Sequence, residues 1–175
     1  PEWYQRVVDE IKAAYMYGLT YPDIMNKYKK NITREEFCKI AVKLYEKLSG
    51  KAATAEGNPF TDTNDPETIK ANRLGIVLGI GNNLFAPERN ITRQEICVMI
   101  KRALAAALGS ISNDIGAEFP FSDKNKIGDW AMDAMKFCHK NNIMKGISEN
   151  EIAPLNNTTR EQAVVLLKRT YEKFR

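Results

Sequence analysis

One short phrase occurs three times in this chain: Ile32-Thr33-Arg34-Glu35-Glu36, Ile91-Thr92-Arg93-Gln94-Glu95 and Thr158-Thr159-Arg160-Glu161-Gln162. Each copy opens a stretch with helical apolar spacing. Apolar positions then recur in steps of three and four, as in Phe37, Ile40, Ala41, Leu44, Tyr45 and Leu48. The second copy has Ile96, Met99, Ile100, Ala103 and Leu104, and the third Ala163, Leu166, Leu167, Tyr171 and Phe174. That pattern predicts three equivalent helices, each with one buried stripe.

The repeat extends upstream of the phrase. Residues from Gly75 align without a gap on those from Asn142, pairing Gly79 with Gly146, Ala86-Pro87 with Ala153-Pro154 and Asn90 with Asn157. A looser first copy begins at Gly18. A period near 60 residues belongs to repeat architectures, in which one unit alone buries too little surface. A shorter helix is predicted before each long one, over Tyr4–Tyr17, Pro66–Leu74 and Ile127–Asn141. These helices close at Gly18, Gly75 and Asn142, residues that readily take the left-handed conformation. The expectation is an all-α fold of three helical repeats, residues 1–50, 51–109 and 110–175, forming a pseudo-threefold trimer around a central three-helix bundle. No strand pattern is present.

Thr33 with Glu36, Thr92 with Glu95 and Thr159 with Gln162 are spaced as capping boxes, which satisfy amides of the first helical turn. The arginine between them has no such local reason. Arg34, Arg93 and Arg160 each take the first helical position, where a cation costs roughly 0.3–1 kcal/mol against the helix dipole. A charge-assisted contact with a carboxylate or phosphate returns about 1.5–3 kcal/mol. The conflict is resolved if an anion binds there, with open first-turn amides and the guanidinium directed at one ligand. The alternative is that each arginine pairs with a carboxylate of a neighbouring repeat and stitches the bundle.

These residues resemble a known family. Phe60-Thr61-Asp62, Leu74-Gly75-Ile76-Val77-Leu78-Gly79, Phe85-Ala86-Pro87, Phe121-Ser122-Asp123, Asp129-Trp130-Ala131 and Asn142-Ile143-Met144-Lys145-Gly146 stand in order with the Thr-Arg-acid phrase. Together they are similar to three tandem S-layer homology modules over nearly the whole chain. The resemblance implies grooves between adjacent repeats and a noncatalytic role in anchoring exported proteins to the bacterial cell surface. The implied ligand is anionic secondary cell-wall polysaccharide, often pyruvylated, whose ketal carboxylate is an anion of the kind the arginines call for. The implied carbohydrate-binding set is Arg34, Arg93, Arg160, Trp130, Gly79 and Gly146, with Asp129 beside the tryptophan. Copy one has Pro22 where the others carry glycine, and copy two lacks a counterpart of Trp130. Trp3 does not align with Trp130. Unequal grooves are therefore expected, with Arg160 and Trp130 together, or Arg93, the ones to bind.

Other classes lack support in the residues. No nucleophile with a base, metal-ligand cluster or phosphate loop is present, so neither catalysis, a metal nor a cofactor is expected. A net charge of +4 is low for a nucleic-acid partner, and no apolar run is long enough to enter a membrane. Cys38, Cys97 and Cys138 read as packing residues, and His139 as a solvent-exposed one. Asp62 and Asp123 read as turn residues. The chain opens at Pro1 inside a helical pattern and reads as a piece of a longer protein, so the missing leader says nothing about export. The resemblance implies a monomeric fragment of a larger exported protein. The competing reading is an assembly scaffold of the S-layer whose arginines are paired internally.

Overall fold

A computed structural model describes residues 1–175. It contains six α-helices: α1 Glu2–Met16, α2 Arg34–Ser49, α3 Pro66–Arg73, α4 Arg93–Leu108, α5 Asp129–Lys140 and α6 Arg160–Phe174. Short 3-10 turns lie at Pro22–Ile24 and Lys124–Lys126, and the β-bridges are isolated ones. The fold is all-α. Helices α1, α3 and α5 are followed by Gly18, Gly75 and Asn142 at φ of +74°, +75° and +56°, which turn the chain into the loop before each long helix.

The long helices α2, α4 and α6 form the middle of the molecule, with α2 packed against both others. Their stripes supply Phe37, Ile40, Leu44, Ile96, Ile100, Leu104 and Leu167, all fully buried in one continuous core. Cys38, Cys97 and Cys138 are buried and free, as small hydrophobes in this core. His139 is half-buried rather than solvent-exposed, because Phe119 and Phe121 pack edge-on against it at 5.6 and 4.9 Å.

The short helices do not pack on the long helix of their own repeat. Helix α3 lies against α2, α5 against α4, and α1 against α6, so each packing unit joins two successive repeats and the last closes on the first. The loops close a matching ring. Bridges pair Asn31 with Thr159, Thr33 with Asn90, and Thr92 with Asn157, so every repeat touches both others just before its long helix. This arrangement places the start of each long helix against the loop of a neighbouring repeat, which is where the grooves form.

Candidate functional site

Each long helix begins with a complete capping box. Thr33, Thr92 and Thr159 accept from the backbone amides of Glu36, Glu95 and Gln162, whose side chains accept in return from the cap residues' amides. The first two helical amides are also taken. Arg34 and Glu35 donate to the carbonyls of Arg89 and Pro87, Arg93 and Gln94 to those of Asn156 and Pro154, and Arg160 and Glu161 to those of Lys30 and Tyr28. The expectation of open amides at these helix starts is therefore corrected. A neighbouring loop has already satisfied them, which leaves the arginine side chain as the cationic group at each helix start.

The neighbouring loops are held in place by aspartate–amide hydrogen bonds, exposed at Asp62 and buried at Asp123. Asp62 accepts from the amides of Phe85 and Ala86 at 2.9 and 2.8 Å, and Asp123 from those of Ile152 and Ala153 at 3.0 and 2.8 Å. Ala86 and Ala153 have φ of +60° and +51°, which an L-residue rarely adopts, and each aspartate clamps its alanine there. The Phe85 and Ala86 amides hold the Asp62 carboxyl below its ordinary range. For Asp123 burial acts in the opposite direction, but the Ile152 and Ala153 amides, its own amide and Lys126 together outweigh it, so this carboxyl is also depressed. Gly79 and Gly146 are required by close approach. A Cβ on Gly79 would lie 2.8 Å from the Leu84 carbonyl, and one on Gly146 would lie 2.7 Å from the Phe121 ring.

The three arginines occupy matching places with different partners. Arg34 Nε and Nη2 donate to the carbonyls of Phe85 and Leu78, each at 3.1 Å, and the guanidinium stacks 4.6 Å from the Phe85 ring. Its Nη1 lies 3.6 Å from Glu95 Oε1, a carboxylate also engaged by Arg89. Arg93 Nε and Nη2 donate to the carbonyls of Ile152 and Lys145 at 2.9 and 2.5 Å, and no carboxylate pairs with it. Arg160 is fully engaged: Nε and Nη2 donate to Glu36 Oε2 at 3.0 and 2.7 Å, and Nη1 to the carbonyl and side-chain oxygens of Asn26. Burial lowers the basicity of Arg34 and Arg93, although both stay charged at any ordinary pH.

The arginines thus latch adjacent repeats together, because charge-assisted bonds to carbonyls outweigh the dipole penalty. The reading in which all three await an outside anion is corrected at Arg160, where Glu36 supplies the counter-charge, and in part at Arg34, which lies 3.6 Å from Glu95. Only Arg93 has no carboxylate partner. The expected pairing of Arg160 with Trp130 is corrected as well. Trp130 lines the Arg34 cavity, about 310 Å³, together with Gly79, Leu78, Arg89 and Arg102. It is 62% exposed and so is not a core residue. Asp129 is exposed at the start of α5 and does not line that cavity.

The Arg93 cavity, about 430 Å³, is lined by Gly146, Lys29, Lys145, Gln162 and Trp3, which does not align cleanly with Trp130 in the sequence. Trp3 is 58% exposed, with Lys29 Nζ 5.4 Å from its ring. It follows Glu2 at the second position of α1, as Trp130 follows Asp129 at the second position of α5. Helix α1 has 15 residues and α5 has 12, so Trp3 sits about one turn further from its closing glycine, which hides the match in a linear alignment. The paired acid-Trp start was the available signal.

The Arg160 cavity, about 330 Å³, differs in kind. No tryptophan lines it; Tyr21 stands at the loop position of Leu78 and Lys145, Asp65 comes from the start of α3, and five carboxylates face three cations. Four cations face two carboxylates around Arg93, and three face one around Arg34. Two grooves therefore have a net positive lining and the third a net negative one.

Comparison with known proteins fits this geometry. The S-layer homology domain profile matches residues 69–97 and 120–164. An amylopullulanase of Thermoanaerobacterium thermosulfurigenes is 29% identical over 98% of this chain, which covers 9% of that protein. An endoglucanase of Bacillus sp. (strain KSM-635) is 30% identical over 78% of the chain and 14% of its own length. A cellulosome-anchoring protein of Acetivibrio thermocellus is 26% identical over 92% of the chain, which spans 36% of that relative. The chain thus corresponds to a minor part of each of these relatives. With its thrice-repeated Thr-Arg box, its clamped Ala-Pro loops and these matches, the chain belongs to the S-layer homology domain family.

Proposed function

We propose that this chain is a noncatalytic anchoring module that holds a larger exported protein to the bacterial cell surface. Its ligand is anionic cell-wall polysaccharide, with pyruvylated sugar the favoured form, bound in grooves between repeats. The observation that carries the reading is a pair of net-positive clefts, each combining a first-turn arginine, a loop glycine and an exposed tryptophan. A sugar ring stacks on an indole, and a ketal carboxylate meets the cationic edge of the cleft. Relatives with the different names amylopullulanase and endoglucanase share this segment over a small part of their length. Others are named as a middle cell wall protein and a surface layer protein. A common anchoring segment accounts for both sets of names.

The assembly-scaffold reading has one observation in its favour, the Arg160–Glu36 pair in an acidic cavity. It assigns no role to the two positive clefts.

The test is co-sedimentation with purified cell walls before and after chemical removal of their secondary polymer. Binding that requires the polymer, weakens with added salt and is blocked by pyruvylated N-acetylmannosamine supports the proposal. Binding indifferent to polymer and sugar favours the scaffold.

A further inference from the structure

The three grooves share one backbone plan, and their arginines differ mainly at one contact. In the ring of repeats, the residue that closes a capping box also faces the arginine of the repeat before it. Glu36 closes the first box and takes two hydrogen bonds from Arg160. Glu95 closes the second and lies 3.6 Å from Arg34, although Arg89 shares the same carboxylate oxygen. Gln162 closes the third and lines the Arg93 cavity, where an amide stands in place of a carboxylate. Its Oε1 is spent on the Thr159 amide at 3.0 Å, and it makes no hydrogen bond to Arg93. Arg93 Nη1 is left without a protein partner, whereas Arg34 Nη1 faces Glu95 and Arg160 Nη1 donates to Asn26. Lys145 stands in this cleft where the Arg34 cleft has the apolar Leu78, which adds a further cation.

We propose that the box-closing residue of the next repeat gates each arginine, and that Gln162 makes the Arg93 groove the primary carboxylate-binding site. Both acid and amide complete the box, so the helix start is kept either way and the choice between them is available for ligand control. A glutamate in this place is a built-in competitor: it supplies the carboxylate that a ligand would otherwise bring. The order of availability is Arg93 first, Arg34 second because Arg89 draws on Glu95, and Arg160 last. The inference rests on the anion-binding reading of the grooves, and its test separates the two.

The variant Q162E restores the residue that the other two boxes already use, so its folding is expected to be unchanged by circular dichroism. In nitrogen-15 spectra of the whole chain, sodium pyruvate is expected to shift the Arg93 Nε–H and Trp3 indole signals first. Q162E is expected to weaken that response about tenfold, the loss of one charge-assisted contact. E95Q is expected to strengthen the response at Arg34 and Trp130. Cell-wall polymer is titrated in parallel with the same proteins. Pyruvate shifts at Arg93 that Q162E weakens about tenfold support the gate even if polymer never binds, in which case the anchoring reading is what fails. Equal pyruvate responses in wild type and Q162E overturn the gate, and so does a first response at Arg160.

Discussion

Arg34, Arg93 and Arg160 are one residue type at one helical position, yet their surroundings give them different work. Arg160 is a structural pair with Glu36, the two side chains 9% and 17% exposed, so Arg160→Ala strands a half-buried carboxylate. We expect it to lower stability by about 3 kcal/mol in urea unfolding and to leave wall binding intact under native conditions. Arg93→Ala removes two carbonyl bonds, a smaller loss on the order of 1–2 kcal/mol, but is expected to remove most wall binding. Equal binding losses from the two variants would contradict the account. The capping boxes were legible in the sequence because they join residues three apart. The arginines' partners were not, since Glu36 is 124 residues from Arg160 and becomes its neighbour only when the ring closes. The contrast between Gln162 and the two glutamates was visible as a departure. Its consequence appears only once residue 162 is known to share a cavity with residue 93.

The loops that carry Gly79 and Gly146 owe their shape to Asp62 and Asp123, whose amide partners lie 23 to 30 residues further along the chain. Asp123→Ala is expected to strand the buried amides of Ile152 and Ala153, on the order of 1–3 kcal/mol for each, read as a fall in the urea midpoint. The same contacts predict a pH dependence. The folded-state pKa of Asp123 lies below that of the unfolded chain, near 3.9, so its contribution is complete above that value. It is lost as pH falls through the lower folded value. Urea midpoints measured between pH 7 and pH 3 are expected to drop for the wild type, and to drop less for Asp123→Ala. An equal drop in both would assign acid lability to other groups. Helix positions, left-handed closures and the Ala-Pro corners were readable from local signals. Asp62 and Asp123 read as turn residues, which is the local half of their role; the clamp on a distant loop is a tertiary contact that spacing does not encode. The acid-Trp start of α1 was concealed by three additional helical residues.

Because α3 packs on α2, α5 on α4 and α1 on α6, no sequence repeat contains its own packing partner. A peptide of residues 51–109 alone would expose the faces of α3 and α4 that meet α2 and α5. It is expected to be largely unfolded by circular dichroism, whereas residues 1–175 unfold in one cooperative transition. A folded 51–109 peptide would contradict that closure. The repeat and the all-α class were legible because periodicity is local. The exchange of partners between repeats was not, because three copies of one pattern look the same whichever copy each helix joins. The same closure brings both tryptophans of the chain to the two positive grooves, which gives a direct reading of the central claim. Titration of the protein with pyruvylated N-acetylmannosamine, followed by intrinsic tryptophan fluorescence, is expected to give a saturable change that weakens with salt and that N-acetylmannosamine without the ketal does not produce. No change, or the same change with both sugars, would contradict the proposal that these grooves recognise a sugar-borne carboxylate.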